Sequence, residues 1–122
     1  MKNSIRISGG DLKGKTIPFN HKSSLRPTSN KLREILFDWL HFEIKDFECL
    51  DLFAGTGALG IEAISRGAKN SFFIELNKKN YLFIKSALQA LELESKSTIL
   101  FKDALSWASI NDLSKFNLIF VD

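Results

Sequence analysis

Residues 51–60 read Asp-Leu-Phe-Ala-Gly-Thr-Gly-Ala-Leu-Gly, and they contain the features that decide the fold. An apolar run ends at Asp51, a glycine-rich turn follows, and a helix is predicted to begin behind that turn. Glycine permits a tight turn and lets a ligand approach the backbone closely. The free N–H groups of a helix N-terminus form a polar binding surface. The carboxylate of Asp51 would repel a phosphate group at this turn and attract an ammonium or a sulfonium group.

The chain around this turn alternates between strand and helix patterns. Apolar strands are predicted at 48–53, 70–75, 97–101 and 116–121. One helix is predicted from the glycine turn to Arg66, where Gly67 ends it, another is predicted from its cap Asn77 to about Leu93, and a short helix follows residue 104. Strands this apolar, separated by helices, indicate a parallel sheet covered by helices on both faces. We therefore expect an α/β, Rossmann-like fold. Because a fourth strand at the end of the chain would leave an apolar sheet edge exposed, we also expect the C-terminal strands of the domain to be missing.

The region before the sheet carries smaller elements. Residues 4–19 indicate a small β element, 20–30 a polar loop and 31–42 a helix, which Thr28, Ser29 or Asn30 could cap. We accordingly divide the chain into a basic N-terminal β element with its loop, residues 1–30, and the start of a larger domain, residues 31–122. We expect Trp39 and Trp107 to pack rather than to stack on bases. The predicted apolar face of the first helix comprises Leu32, Ile35, Leu36, Trp39 and Leu40.

Length and composition narrow the class of protein. The chain has 122 residues, 44% of them hydrophobic, which suits one globular domain. No apolar run approaches the roughly 20 residues of a membrane span, so we expect no membrane partner. The single cysteine, Cys49, cannot form an internal disulfide, which favours a cytoplasmic protein with a buried thiol. Neither histidine has partners at ligand spacing, and we expect no metal.

Charge is distributed unevenly along the chain. Residues 1–33 contain eight basic residues against one acidic residue, a net charge of +7, while the remaining residues carry −4. A basic arm on an acidic body indicates a polyanionic partner. A flexible, solvated tail is the alternative, although the Ser8-Gly9-Gly10 segment and the pattern after it favour ordered turns.

Each predicted strand ends in a carboxylate or just before one: Asp51, Glu75, Asp103 and Asp122. Ligands of open parallel sheets bind beyond these strand ends. Glu75 can accept both hydroxyls of a ribose, and Asp103 can accept a hydrogen bond from an adenine amine. With Asp51 beside the turn, S-adenosylmethionine fits this pattern. Single carboxylates could instead cap helices. A dinucleotide is the rival ligand, since residues 55–60 also match Gly-x-Gly-x-x-Gly.

Further motifs extend along nearly the whole chain. They are Arg6-Ile7-Ser8-Gly9-Gly10, Lys13-Gly14-Lys15, Leu25-Arg26-Pro27-Thr28, residues 33–40, residues 50–63, Ile74-Glu75 and Ile119-Phe120-Val121-Asp122. Together they resemble the RsmD family, bacterial 16S rRNA guanine-N2 methyltransferases within the class I superfamily that uses S-adenosylmethionine. The family pattern continues after the fourth strand as Asp-Pro-Pro-aromatic, of which this chain holds only Asp122.

The resemblance implies roles for individual residues. Asp122 would be catalytic and orient the guanine amine toward the methyl group. The cofactor would contact Asp51, Phe53, Ala54, Gly55, Gly57, Glu75, Leu76, Asp103 and Ala104. RNA would contact Lys13, Lys15, Arg26, Thr28, Lys31 and Arg33. The partner would be 16S rRNA or an assembling small ribosomal subunit, bound by a monomer.

Two other functions stay open at this point. An adenine-N6 methyltransferase acting on DNA or RNA shares the signature of an acidic residue or Asn followed by Pro-Pro-aromatic. Alternatively, these 122 residues alone could bind cofactor or nucleic acid without turnover.

Overall fold

The computed structural model describes residues 4–18 and 29–121. A hairpin of β1 (Ser4–Arg6) and β2 (Thr16–Pro18) opens the fold. The later strands are β3 (Glu48–Asp51), β4 (Asn70–Glu75), β5 (Ser97–Phe101) and β6 (Leu118–Phe120). The α-helices are α1 (Asn30–Leu40), α2 (Ala58–Ser65), α3 (Lys78–Ala90) and α4 (Ala104–Ile110), and a 3₁₀ turn spans Glu94–Lys96.

The larger sheet has the order β5-β4-β3-β6, and every pairing in it is parallel. The chain runs outward from β3 to β4 and β5, then returns to place β6 on the other side of β3. The carboxyl end of β3 is therefore the point where the strand order reverses, which is where ligands bind in such sheets. The α/β fold class predicted from the sequence is confirmed.

Helices cover both faces of this sheet. On one face α1, α2 and α3 pack against Cys49, Phe73 and Phe120. On the other face α4 packs through Ala104 and Trp107 against the residues around Leu50 and Ile74. Cys49 is fully buried, as predicted, and burial is the main cause that raises the pKa of its thiol to about 12, with a smaller contribution from the Glu48 carboxylate. Such a thiol is protonated and unreactive at neutral pH.

The N-terminal hairpin is part of the same core. Ile5, Ile7 and Ile17 are buried in one apolar cluster with Ala54 and Ala58, the residues on either side of the glycine turn. Backbone bonds tighten the contact, since the Asp11 amide donates to the Ser65 carbonyl at 2.8 Å. The hairpin segment thus lies along α2, with its polar contacts at the C-terminal half of that helix.

The apolar face predicted for α1 is wrong in part. Leu32 and Trp39 are 62% and 77% exposed, whereas the buried residues of this helix are Arg33 and Phe37. Phe37 packs against Phe120 with ring centroids 5.8 Å apart. The prediction that Trp39 packs rather than stays exposed for stacking is therefore corrected, while Trp107 is half-buried against the α4 side of the sheet, as expected.

Several predicted helix ends match the structure. Ser29 caps α1 by accepting a hydrogen bond from the Leu32 amide, and Asn77 caps α3 by accepting one from the Asn80 amide. Gly67 follows α2 with φ of 115°, a conformation that favours glycine. Within the described ranges, no helix is long and apolar enough to cross a membrane.

Candidate cofactor and nucleic-acid site

The glycine turn joins the carboxyl end of β3 to α2 at the reversal point of the sheet. Asp51 closes β3 with 1% of its surface exposed. Gly55 and Gly57 have φ values of 58° and 82°, so both sit in the left-handed region where a side chain would be strained. The turn therefore presents backbone, with a buried carboxylate at its base, to the space beyond the strand ends.

Glu75 connects the second strand end to this turn. Its carboxylate accepts a hydrogen bond from the Gly55 amide, N to Oε1 2.7 Å, and another from the Asn77 amide, N to Oε2 2.9 Å. A carboxylate offers about four acceptor positions, so each oxygen retains capacity for one more donor. Glu75 is half-buried. Glu75 thus fixes the turn and keeps acceptor capacity on both oxygens.

Asp103 stands at the third strand end and caps α4. Its Oδ1 accepts a hydrogen bond from the Ser106 amide at 3.0 Å. The capping role that the sequence left open is thus realised for this carboxylate. The side chain is exposed, and the cap occupies one of its acceptor positions.

Apolar side chains flank the carboxylates. Phe53 and Leu76 are 44% and 60% exposed beside the turn and after β4, while Ala54 and Ala104 are buried. Exposed apolar side chains next to fixed polar groups are typical of a small-molecule site.

The residues at this edge fit S-adenosylmethionine. Bare glycine backbone, a carboxylate able to receive two hydroxyls and apolar flanks suit a nucleoside. The buried carboxylate of Asp51 at the base of the turn disfavours a pyrophosphate, which a dinucleotide would place there.

Gly60 explains how closely α2 approaches the sheet. A Cβ atom added to Gly60 would overlap the Phe73 ring on β4. The third glycine of residues 55–60 therefore serves packing between helix and strand, and it holds the N-terminus of α2 next to the strand ends.

The cations predicted for RNA fall into two groups. Lys13, Lys15 and Lys31 are exposed near the hairpin and at the start of α1. Arg33 is 1% exposed, and its Nε lies 3.3 Å from Glu62 Oε1, so the predicted RNA contact of Arg33 is corrected to a buried ion pair. Arg26, Thr28 and the predicted catalytic Asp122 lie outside the described residues.

The partner of Arg33 was not predicted from the sequence. Glu62 is fully buried in α2 and also pairs with Arg66, Nε to Oε2 2.9 Å. It further accepts hydrogen bonds from Ser8 and Gly9. We call Arg33, Glu62 and Arg66 the buried charge cluster. Glu62 within the largely apolar sequence of α2 was the signal for such a cluster, because a carboxylate buried in a helix needs charged or hydrogen-bonding partners.

Comparison with known proteins identifies the relatives of this chain. A family model described as Conserved hypothetical protein 95 matches residues 5–122. The ribosomal RNA small subunit methyltransferase D of Buchnera aphidicola is 43% identical over 122 residues, and that of Escherichia coli is 37% identical over 118. The chain belongs to the RsmD family. The matches cover 99% and 97% of the chain, but only 63% and 59% of these two RsmD proteins.

Solved structures agree with the RsmD assignment. A putative methyltransferase, yhhF, from Escherichia coli matches with a TM-score of 0.84 at 34% identity, over 98% of this chain and 64% of that one. A putative methylase from Haemophilus influenzae matches with a TM-score of 0.77 at 32% identity, over 96% of this chain and 62% of that one. The described sheet and helices are thus the methyltransferase fold shared by these structures.

Proposed function

We propose that this chain is the cofactor-binding part of an enzyme that methylates the exocyclic N2 amine of a guanine in 16S rRNA. The observation that carries the proposal is the bond from the Gly55 amide to Glu75, which assembles a nucleoside site at the strand ends. Membership of the RsmD family supports rRNA as substrate, since the relatives are named small-subunit rRNA methyltransferases.

Each strand end has a separate role in this proposal. Glu75 accepts the ribose hydroxyls, and Asp51 with the turn from Gly55 to Gly57 receives the amino-acid end. Asp103 accepts the adenine amine, and Phe53, Ala54, Leu76 and Ala104 line the nucleoside. When bound, S-adenosylmethionine supplies a methyl group activated by its sulfonium.

The chain's own contribution to the reaction is alignment. Holding two reactants in line can account for a large part of the barrier reduction in a displacement reaction. Asp122 follows β6, next to β3 in the sheet, and by its family position would accept an N–H bond from the guanine amine. Lys13, Lys15, Arg26, Thr28 and Lys31 would hold RNA phosphates or the backbone near them.

The cofactor site is tested by replacing Glu75 with Gln. We expect Glu75→Gln to weaken S-adenosylmethionine binding about tenfold or more, because a charged acceptor for two hydroxyls is lost. The matched control is Asp112→Asn, which alters an exposed carboxylate in the loop before β6. Isothermal titration calorimetry measures both. Equal affinities for the two variants would overturn the role of Glu75.

The reaction is tested with labelled S-adenosylmethionine and undermethylated small ribosomal subunits. Label recovered as N2-methylguanosine supports the proposal, whereas label in N6-methyladenosine would replace it with adenine methylation. An extended chain with a complete RsmD domain serves as reference. Turnover by that reference without turnover by these 122 residues would assign them cofactor binding only.

A further inference from the structure

A cavity of about 460 Å³ lies between the N-terminal hairpin and the start of α1. Arg6, Ser8 and Lys13 line it on the hairpin side, and Asn30, Lys31 and Glu34 line it on the helix side. Lys31 pairs with Glu34, Nζ to Oε1 3.6 Å, which leaves the charges of Arg6 and Lys13 uncompensated among the lining residues. The walls therefore favour an anion.

The buried charge cluster fixes the walls of this cavity. Nη2 of Arg33 donates to the Arg6 carbonyl and to Oδ1 of Asn30, the latter at 2.8 Å. Glu62 accepts hydrogen bonds from the Ser8 amide at 3.0 Å and from the Ser8 hydroxyl at 2.9 Å. Three lining residues are thus held by side chains that are almost fully buried. A cavity held in this way is preformed for a ligand, which reduces the entropy lost on binding.

The cluster also holds the buried cation of Arg33 next to the cavity, where it bonds to the lining residues Arg6 and Asn30. Arg33 and Arg66 share the carboxylate of Glu62, and Arg66 has a second partner in Asp38, which is largely exposed. Nη1 of Arg33 is buried and makes no hydrogen bond with any residue in the described ranges. Water screens buried charges less than exposed ones, so this cation contributes to the potential felt in the cavity.

We propose that this cavity binds one phosphodiester group of the RNA backbone, with Arg6 and Lys13 as its charged contacts. The inference rests on the RNA substrate of the proposed function. A phosphodiester suits the site because two lysine or arginine side chains on a fixed frame bind a phosphate without reading a base. Ser8 in the cavity wall is bonded to Glu62 of α2, and that helix begins at the glycine turn. A phosphate bound here would therefore set the distance between the RNA backbone and the cofactor site.

The cavity is tested with Arg6→Gln and Lys13→Gln, each measured against a helical fragment of unmethylated small-subunit rRNA. Both residues are exposed, so neither change should disturb folding. The matched control is Lys69→Gln, an exposed lysine just before β4, at the amino ends of the strands. Dissociation constants are measured over a salt series from about 50 to 200 mM.

We expect each cavity variant to weaken binding about tenfold and to reduce the slope of log affinity against log salt by about one. Lys69→Gln should match the unmodified chain in both quantities. If the Arg6 and Lys13 variants show the same salt slope as the Lys69 variant, the proposal that the cavity binds an RNA phosphodiester is wrong.

Two further outcomes separate this inference from other assignments. If the unmodified chain does not bind the rRNA fragment, the RNA substrate of the proposed function fails, and the cavity proposal fails with it. If the chain binds inorganic phosphate through Arg6 and Lys13 while both variants keep full RNA affinity, the cavity is a free-anion site and the RNA assignment is wrong.

Discussion

Glu62 is the residue on which the contact between the N-terminal hairpin and the sheet domain depends most directly. Its two oxygens accept five hydrogen bonds, from the Ser8 amide and hydroxyl, the Gly9 amide, and Nε of Arg33 and Arg66. A buried carboxylate remains charged only when such donors replace its lost hydration. Through this one side chain, residues from three segments of the chain share a fixed geometry.

Replacing Glu62 with Gln should destabilise the protein strongly. We expect a loss of about 3–5 kcal/mol in the free energy of unfolding, because the buried Arg33 then lacks a counter-charge and Arg66 keeps only the exposed Asp38. Urea denaturation followed by circular dichroism measures this change. Glu34→Gln is the control, since it removes only the exposed pair with Lys31 and should cost less than about 1 kcal/mol. A similar small loss for both variants would contradict the role of Glu62.

Residue positions at the strand ends were more predictable than the buried charge cluster. Asp51 and Glu75 end apolar runs, and parallel strands bring such ends to one edge regardless of detail. Arg33 and Glu62 lie 29 positions apart and meet only through the packing of α1 on α2. Periodicity cannot report that meeting, because all eight residues of α2 are buried and the helix shows no polar side.

Among the elements, α1 is a helix whose position was predicted correctly and whose buried face was predicted wrongly in part. The apolar residues of this helix form two overlapping stripes, and the stripe predicted to be buried contains Leu32, Ile35 and Trp39. The structure buries the other side, because Phe37 meets Phe120 on β6 and Arg33 meets Glu62 on α2. Spacing predicts a helix from local residues alone, whereas the buried face depends on partners distant in sequence.

Two substitutions in α1 test this orientation. Phe37→Ala should lower the free energy of unfolding by about 3–5 kcal/mol, since the ring is fully buried. Trp39→Ala should change it by about 0.5 kcal/mol or less, because 77% of the residue is exposed. Both are measured by urea denaturation under one set of conditions. A larger loss for Trp39→Ala than for Phe37→Ala would restore the face inferred from the sequence.

At the scale of the whole molecule, the N-terminal hairpin and the sheet share a core. The division into residues 1–30 and 31–122 remains a prediction from composition. The structure adds that Ile5, Ile7 and Ile17 pack with Ala54 and Ile84 in one cluster. Such packing favours a single cooperative unfolding transition for the hairpin and the sheet.

Ile7→Ala tests that cooperativity. With Ile7 only 1% exposed, we expect a loss of about 2–5 kcal/mol and a lower midpoint for the whole molecule. Thermal unfolding is followed by far-ultraviolet circular dichroism and by tryptophan fluorescence. The fluorescence is recorded in a Trp39→Phe background, so that the signal comes from Trp107, which packs on the far face of the sheet. Leu105→Ala, at a residue 72% exposed, is the control. A shift seen by neither probe, or two separate transitions, would show that the hairpin unfolds independently.

The bonds from Ser8 and Gly9 to Glu62 also make the opening of the N-terminal hairpin measurable by amide hydrogen exchange. Both amides are tied to a carboxylate inside α2, at N to O distances of 3.0 and 3.1 Å, rather than to a neighbouring strand. Their protons can exchange with deuterium only when the N-terminal hairpin leaves the helix or the molecule opens further. The exchange rates of these two amides would therefore report how often the hairpin separates from α2. A bound RNA backbone that bridges the hairpin and α1 would lower both exchange rates together.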